Sequence, residues 1–136
     1  MTKKAITSKN APAALGPYSQ GVRVGGTVYL SGQIGLEPST ATLVDGIDAQ
    51  THQVFKNLRA VAQAAGGELD DIVKITVLLA DLDDFNKVNE IMATYFEAPY
   101  PARATYQVAA LPRGARVEVE AIMEIVSGVS AVGFTR

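Results

Sequence analysis

A strict alternation of side chains near the C-terminus limits the fold of this chain more than any other feature. From residue 117 to residue 125, every odd-numbered position is apolar, and glutamate fills all the even positions except Ile122. Successive side chains of a strand point to opposite faces of a sheet. The run therefore predicts a strand with one buried face and one acidic face. The acidic face either borders a polar pocket or faces water.

A second strand-like run begins at Arg103, directly after Pro101, and a Pro/Gly turn separates it from the acidic strand. Arg and Glu side chains in strands are usually exposed to solvent, and exposed pairs of them contribute little to stability. Spacing alone therefore favours solvated side chains at Arg103 and Glu118. If the two runs formed a simple hairpin about Arg113, Glu118 would pair near Val108. That position lies roughly 16 Å along the strand from Arg103, too far for one small substrate.

The rest of the chain predicts four more strands and two helices. Asp48 is a candidate N-cap for the first helix, and residues 81 to 84 cap the second. Residues 36 to 47 are rich in Pro, Ser, Thr, Asp and Gly and predict a loop. The strands are predicted at 4–8, 21–25, 27–31 and 72–79, and the helices at 48–65 and 85–98.

The order of these elements is strand, strand, strand, helix, strand, helix, strand, strand. It predicts an α+β or split-βαβ fold with both helices on one face of a mixed sheet. The apolar run from 72 to 79 suits a central strand that is covered on both faces. Because the helices cover only one face, we expect the other face to be buried by self-association.

Composition narrows the classes of function. A length of 136 residues suits one domain with its own core. The absence of cysteine removes disulfides, thiolate nucleophiles and cysteine-ligated metals, and His52 as the only histidine argues against a catalytic triad or a histidine metal site. A net charge of -2 gives no attraction to nucleic acid or to anionic membranes. No run approaches the ~18 apolar residues of a membrane span, so we expect a cytoplasmic protein.

Several polar residues outside the two charged strands could have either a structural or a functional role. Tyr18 lies in a loop with two prolines and a glycine, where it either anchors packing or aims its hydroxyl into a site. Ser31 and Gly32 end a predicted strand, where exposed backbone either turns or admits a ligand. Asn89 lies beside the apolar stripe of the second helix and needs a hydrogen-bond partner. His52, near the start of the first helix, is most simply exposed.

Six short motifs stand in order along the chain, from about Ile6 to Ile125. They are Gly16-Pro-Tyr-Ser-Gln-Gly21, Ser31-Gly-Gln-Ile34, Leu69-Asp-Asp-Ile-Val-Lys-Ile-Thr-Val77, Asp84-Phe-x-x-Val-Asn89, Pro101-Ala-Arg103 and Val117-Glu-Val-Glu-Ala-Ile122. Each motif is weak alone, but together they resemble the RidA (YjgF-type) family of enamine/imine deaminases.

The resemblance implies a chorismate-mutase-like α+β fold, assembled as a homotrimer with a central barrel and a cleft between each pair of neighbouring subunits. It implies hydrolysis of reactive 2-imino acids, such as 2-iminopropanoate and 2-iminobutanoate, to 2-keto acids and ammonia. Pyridoxal-phosphate dehydratases release these compounds as enamines, so the implied role is control of metabolite damage. The family uses no cofactor and no metal.

By position, the resemblance assigns Arg103 to the substrate carboxylate, Glu118 to the attacking water and Tyr18 to the cleft of an adjacent subunit. A guanidinium fork holds a carboxylate bidentately, where lysine offers only a point charge. A carboxylate can accept a proton while water adds to the imine carbon. The resemblance also sets the last strand between the strands at 27–31 and 72–79, so these two charges need not be cross-strand neighbours.

Four more positions match the substrate-binding part of the family site. Ser31 and Gly32 line the cleft, the Thr105 backbone N–H meets the substrate carboxylate, and Asn89 has a supporting role. Glu120, by contrast, is expected to be structural.

The chain departs from the family at two places. Ala104 stands where the motif often has serine, and residues 127–136 form a tail beyond a domain of residues 1–126. The alternative function is a non-catalytic binder of small carboxylates or a holdase-type protein. A ribonuclease role, attached to relatives, is disfavoured by the acidic pI and the single histidine.

Overall fold

The computed structural model describes residues 2–126, which form eight strands and two α-helices. The predicted tail, residues 127–136, lies outside the described residues. The elements in chain order are β1 (Lys4–Ile6), β2 (Gly21–Val24), β3 (Thr27–Ile34), β4 (Leu36–Glu37), β5 (Thr42–Leu43), α1 (Ile47–Ala64), β6 (Ile72–Leu79), α2 (Phe85–Met92), β7 (Ala102–Gln107) and β8 (Val117–Glu124).

Six of the strands form one mixed sheet in the order β1-β2-β3-β8-β6-β7. Neighbouring strands are antiparallel except for β6 and β7, which are parallel. The predicted position of the last strand, between β3 and β6, is confirmed. The simple hairpin is excluded, because β6 lies between β7 and β8.

The core lies between the sheet and the two helices. Apolar residues of α1 and α2 pack with the inward-facing residues of β3, β6 and β8, and the odd-numbered positions of β8 are all buried. The predicted mixed α+β fold is confirmed. The largest buried side chains of this core include Phe55, Leu58, Ile75, Leu79 and Met123.

The structure corrects two predictions at the start of α1. Residues 36–47 are not only loop, because β4 and β5 pair there as a short hairpin. The helix begins at Ile47, with Gly46 rather than Asp48 at the N-cap position. Gly46 has φ 88, a left-handed value that favours glycine, while Asp48 sits in the first turn, where its charge suits the helix dipole.

The second helix ends at Met92, six residues before the predicted end at residue 98. The amides of Thr94 and Tyr95 donate to Ile91 and Met92 in a tight turn. This turn brings the rings of Tyr95 and Phe96 within 5.2 and 5.8 Å of the Phe55 ring centroid. Apolar residues thus continue at helical spacing although the backbone has left the helix.

Three smaller expectations, on His52, β1 and β3, are also corrected. His52 is half-buried rather than exposed, and its Nδ1 lies 2.8 Å from the Tyr95 hydroxyl oxygen. In the single chain, the helices cover one face of β6 and Val73 on it is 51% exposed, so the expected cover of its second face stays a prediction. Strand β1 stops at Ile6, whereas β3 continues through Ser31 to Ile34.

Within residues 2–126, no helix is long and apolar enough to cross a membrane.

Candidate active site

Arg103 projects from the edge strand β7 toward the helices. It pairs with Ile75, whose side chain is buried under the helices, so both side chains share that face. The Arg103 guanidinium lies over the Phe85 ring at 5.3 Å, and its Nη1 donates to Asn89 Oδ1 at 2.6 Å. These contacts hold the guanidinium in place while Arg103 stays exposed to solvent. An open cleft of about 460 Å³ surrounds it, lined by Asn89, Met92, Ala93, Tyr100, Pro101 and Arg103.

The backbone of β7 adds a second donor beside Arg103. The amide of Val108 donates to the Leu79 carbonyl, and alternate residues of a parallel ladder bond to the neighbouring strand. Because the Val108 N–H points to β6, the N–H groups of 106 and 104 do so as well. The N–H groups of 103 and 105 therefore point away from β6, toward an edge that no other described strand covers. The Thr105 amide and the Arg103 guanidinium can therefore meet one carboxylate at this edge.

The side chain of Thr105 does not share this role. Its buried Oγ1 has no hydrogen-bond partner among the described residues. We expect Thr105→Val to raise the free energy of unfolding by about 1 kcal/mol, because an unsatisfied buried hydroxyl costs about 1–3 kcal/mol. Thr105→Pro removes the amide donor at an edge position where proline is tolerated, and it should lower kcat/KM about tenfold or more.

Thermal unfolding and steady-state kinetics of the two variants separate the hydroxyl from the amide. Equal kcat/KM for Thr105→Pro and Thr105→Val would show that the Thr105 N–H does not bind substrate.

Glu118 lies on the opposite face of the sheet. Its neighbours Val117 and Val119 are buried under the helices, so Glu118 and Glu120 point to the other side. There they face a larger open cleft of about 650 Å³. Its lining is Pro12, Ala13, Leu15, Tyr18, Gln20, Ser31, Gly32, Gln33, Ile34, Leu36, Pro112, Arg113, Glu118 and Glu120.

A bulge in β3 brings the backbone against the Glu118 carboxylate. The pairing of β3 with β8 shifts between Leu30 and Gln33, and Ser31 and Gly32 fill the interruption. A Cβ on Gly32 would overlap the Glu118 carboxylate. The carboxylate therefore rests on the bare backbone of Gly32, and a side chain at this position would have to displace it. The Ser31 hydroxyl is already hydrogen-bonded within the chain, because it donates to the Ser19 carbonyl.

Gly32→Ala should therefore disturb chemistry more than folding. The added methyl group displaces the flexible end of Glu118, and a shift of about 1 Å in a catalytic group can cost about 10²-fold in rate. We expect kcat to fall by about 10²-fold with a small change in Tm, measured by turnover and thermal unfolding. An unchanged kcat would mean that the position of this carboxylate is unimportant.

The environment also tunes the proton affinity of this glutamate. Partial burial, and then the negative charge of Glu120, raise the pKa of Glu118 above its ordinary value of 4.5. A carboxylate with a raised pKa is a stronger general base. Glu120 thus has an electrostatic effect on Glu118, beyond the structural role expected from the sequence.

One chain presents the predicted site as two halves. Arg103, Thr105 and Asn89 lie on the helix side and free edge of β7, whereas Glu118 lies on the opposite sheet face together with the loop residue Tyr18. A small substrate that touches both halves needs a second chain.

Two contributors were missed in the sequence. Phe85 supports the Arg103 guanidinium, and the i, i+4 spacing that places Phe85 and Asn89 on one helix face was a usable signal. Gln20 is 4% exposed, and its side chain donates a hydrogen bond to the Pro12 carbonyl in the loop before Tyr18. In the sequence, only its place in the first motif pointed to a role for it. Residues 2–126 contain no cluster of three or more His, Cys, Asp or Glu that could hold a metal.

Comparisons with known proteins identify chains that are similar to this one. A family model described as Endoribonuclease L-PSP matches residues 8–125. The chain is 56% identical over 121 residues to a Mus musculus protein and 50% identical over 123 residues to a Homo sapiens protein. Both are named 2-iminobutanoate/2-iminopropanoate deaminase; the alignments cover 88% and 90% of this chain, and 90% of each relative.

A solved structure has the same fold. RidA from the Antarctic bacterium Psychrobacter sp. PAMC 21119 superposes with a TM-score of 0.88 at 52% identity, covering 90% of this chain and 99% of that one. The motifs, the topology and these matches converge on one conclusion. The chain belongs to the RidA (YjgF-type) family, the one that the Endoribonuclease L-PSP model describes.

Proposed function

We propose that this chain is a deaminase that hydrolyses 2-imino acids, among them 2-iminobutanoate and 2-iminopropanoate, to 2-keto acids and ammonia. Relatives at 50% and 56% identity carry the name of this activity. The observation that carries the proposal is the pair of half-sites, an exposed guanidinium held by Asn89 and a half-buried glutamate of raised pKa. Together they match a small carboxylate with an electrophilic carbon beside it.

The Arg103 half binds the substrate carboxylate. The two parallel N–H groups of the guanidinium fit the two carboxylate oxygens, and the Thr105 N–H adds a third donor. Asn89 and Phe85 hold the fork in place, so little of its freedom is lost on binding.

The Glu118 half performs the addition of water. Glu118 accepts a proton from water as the water oxygen forms a bond to C2 of the iminium, and the C=N π electrons move to nitrogen. The protonated Glu118 then gives the proton to nitrogen. The C–N bond breaks, ammonia leaves, and the remaining hydroxyl gives its proton to the ionised Glu118 to form the 2-keto acid. Tyr18 closes the cleft wall beside Glu118.

We propose that each complete site joins Arg103, Thr105 and Asn89 of one subunit to the Glu118 cleft of the next, in a homotrimer around a central barrel. The opposite faces of the two halves support this assembly. So do Tyr29 and Tyr106, which are 52% and 50% exposed on the sheet face that the helices leave uncovered. Tyr18, Ser31 and Gly32 then reach the substrate from the subunit opposite Arg103.

The name endoribonuclease in the family model does not lead us to propose RNA cleavage. His52, the single histidine, is bonded to Tyr95 and lines neither cleft, and a net charge of -2 gives no attraction to phosphates.

A coupled assay tests the proposal directly. A pyridoxal-phosphate threonine dehydratase generates 2-iminobutanoate, and the release of 2-ketobutyrate is timed with and without this protein. We expect clear acceleration, which Arg103→Ala greatly reduces. Saturable binding of 2-ketobutyrate without acceleration would instead identify the alternative, a non-catalytic carboxylate binder.

The functional link to such dehydratases and a cytoplasmic location belong to the same proposal. Both stay predictions. Fluorescence microscopy of the tagged chain together with a tagged dehydratase, in the cells that make both, checks them.

A further inference from the structure

The side chain of Gln20 is a buried hydrogen-bonding node. It is 4% exposed, and its Oε1 accepts from the Ser8 amide at 2.6 Å. Its Nε2 donates to the carbonyls of Ser8 at 3.1 Å and Pro12 at 2.7 Å, with Ala11 at 3.4 Å. One carboxamide thus satisfies the polar backbone of residues 8–12, a segment without regular structure.

The backbone at the same position is bonded to the bulge of β3. The Gln20 carbonyl accepts from the Ser31 amide at 2.9 Å, and the Ser31 hydroxyl donates to the Ser19 carbonyl. Ser19 and Gln20, which follow Tyr18 directly, are therefore held between two supports, the segment 8–12 on one side and the strand end beside Gly32 on the other.

The loop that Gln20 holds forms one wall of the Glu118 cleft. Pro12, Leu15 and Tyr18 line that cleft, yet Leu15 is 80% exposed and Tyr18 is 56% exposed. Such exposed side chains bury too little apolar surface to fix a loop by themselves. Their placement depends on hydrogen bonds: those of Gln20, the bond from the Ser31 hydroxyl to the Ser19 carbonyl, and the turn in which the Tyr18 amide donates to the Gly16 carbonyl at 2.8 Å.

We infer that Gln20 is a positioning residue for imine hydrolysis, which sets the Tyr18 wall of the cleft opposite Glu118 through its bonds to Ser8 and Pro12. This inference rests on the proposed function. Gln20 acts through Tyr18 and the loop rather than on the reacting atoms.

Gln20→Leu keeps the size of the side chain and removes its polar contacts. We expect kcat/KM to fall about tenfold or more, the equivalent of one lost charged or buried hydrogen bond. The pH midpoint of turnover should not move, because Gln20 does not set the pKa of Glu118. Gln20→Asn, which keeps both the amide acceptor and the amide donor on a side chain shorter by one carbon, should be intermediate and serves if the leucine variant fails to fold.

The matched control is Gln50→Leu. Gln50 is also 4% exposed, but within residues 2–126 its amide group accepts only from Arg116 N–H, at 2.8 Å, and it does not line the cleft. Both leucine variants should lose stability, whereas only the Gln20 variant should lose kcat/KM.

A double-variant cycle with Tyr18→Ala decides the issue. If Gln20 acts through Tyr18, the double variant is no worse than the more damaged single variant, since coupled residues are not additive. Fully additive losses, or a folded Gln20→Leu protein with unchanged kcat/KM, would overturn the inference.

Hydrogen exchange of residues 8–20 gives a readout independent of turnover. It should accelerate in Gln20→Leu and not in Gln50→Leu, and unchanged exchange would also overturn the inference. An inactive wild-type protein, by contrast, would contradict the proposed function itself.

Discussion

Glu118→Gln is expected to lower kcat for 2-iminobutanoate hydrolysis by about 10²- to 10⁴-fold, the usual contribution of a general base. The amide keeps the shape of the side chain against Gly32 but cannot accept the proton of the attacking water. KM should change much less, because the substrate carboxylate binds at Arg103. Steady-state kinetics in the coupled assay measure both constants, and a fall confined to KM would remove Glu118 from the chemical step.

The pH profile of the wild-type protein gives the same residue a second test. Turnover requires ionised Glu118, so activity is lost as the pH falls through its pKa, which burial and then Glu120 raise above 4.5. Glu120→Gln removes the repulsion between the two carboxylates. The acidic midpoint of kcat should therefore move to lower pH, and an unmoved midpoint would show that Glu120 does not tune the base.

The raised pKa also predicts the effect of Glu118 on stability. Below its ordinary pKa, Glu118 is neutral in the folded and the unfolded chain and has no electrostatic cost. As the pH rises through the folded-state pKa, the folded protein must hold a partly buried charge, so stability is lost. Glu118→Gln should therefore raise Tm at neutral pH, and the gain should vanish in acid, as thermal unfolding at the two pH values would show.

Arg103→Ala is expected to lower kcat/KM by about 10²-fold, because a charged hydrogen bond is worth about 1.5–3 kcal/mol and each 1.4 kcal/mol is tenfold. Arg103→Lys should recover only part of the loss. Lysine keeps the charge but loses the bidentate fork, which also bonds Asn89 and lies over Phe85.

Arg23→Ala is the control for the arginine series. The Arg23 guanidinium bonds to the carbonyls of Gly25 and Ala65 and lines neither cleft. Turnover should survive this change. If Arg103→Ala were as active as Arg23→Ala, Arg103 would not be the carboxylate anchor.

Some features of the fold follow directly from local sequence. The alternation from 117 to 125 defined β8 and both of its faces, because the period of a strand acts on each residue separately. The end of α2 did not follow, since Tyr95 and Phe96 keep helical spacing while the backbone turns to pack them on Phe55. The bond between His52 and Tyr95 joins residues 43 positions apart, beyond the reach of any local pattern.

The candidate site shows the same division. The resemblance to the family named Arg103 and Glu118, and it also set β8 between β3 and β6. Neither the residue pattern nor the family resemblance predicted that the two charges lie on opposite faces of the sheet. That placement depends on the parallel register that aligns Arg103 with Ile75. Likewise, the contact of Gly32 with the Glu118 carboxylate depends on a bulge in β3.

Mixing two strongly impaired variants tests the shared site most directly. Arg103→Ala and Glu118→Gln subunits are co-refolded in equal amounts and assayed beside each variant alone. Random mixing places an intact Arg103 half against an intact Glu118 half at about one interface in four, so about a quarter of wild-type activity should return. Activity no greater than the sum of the two separate variants would contradict a site built from two chains.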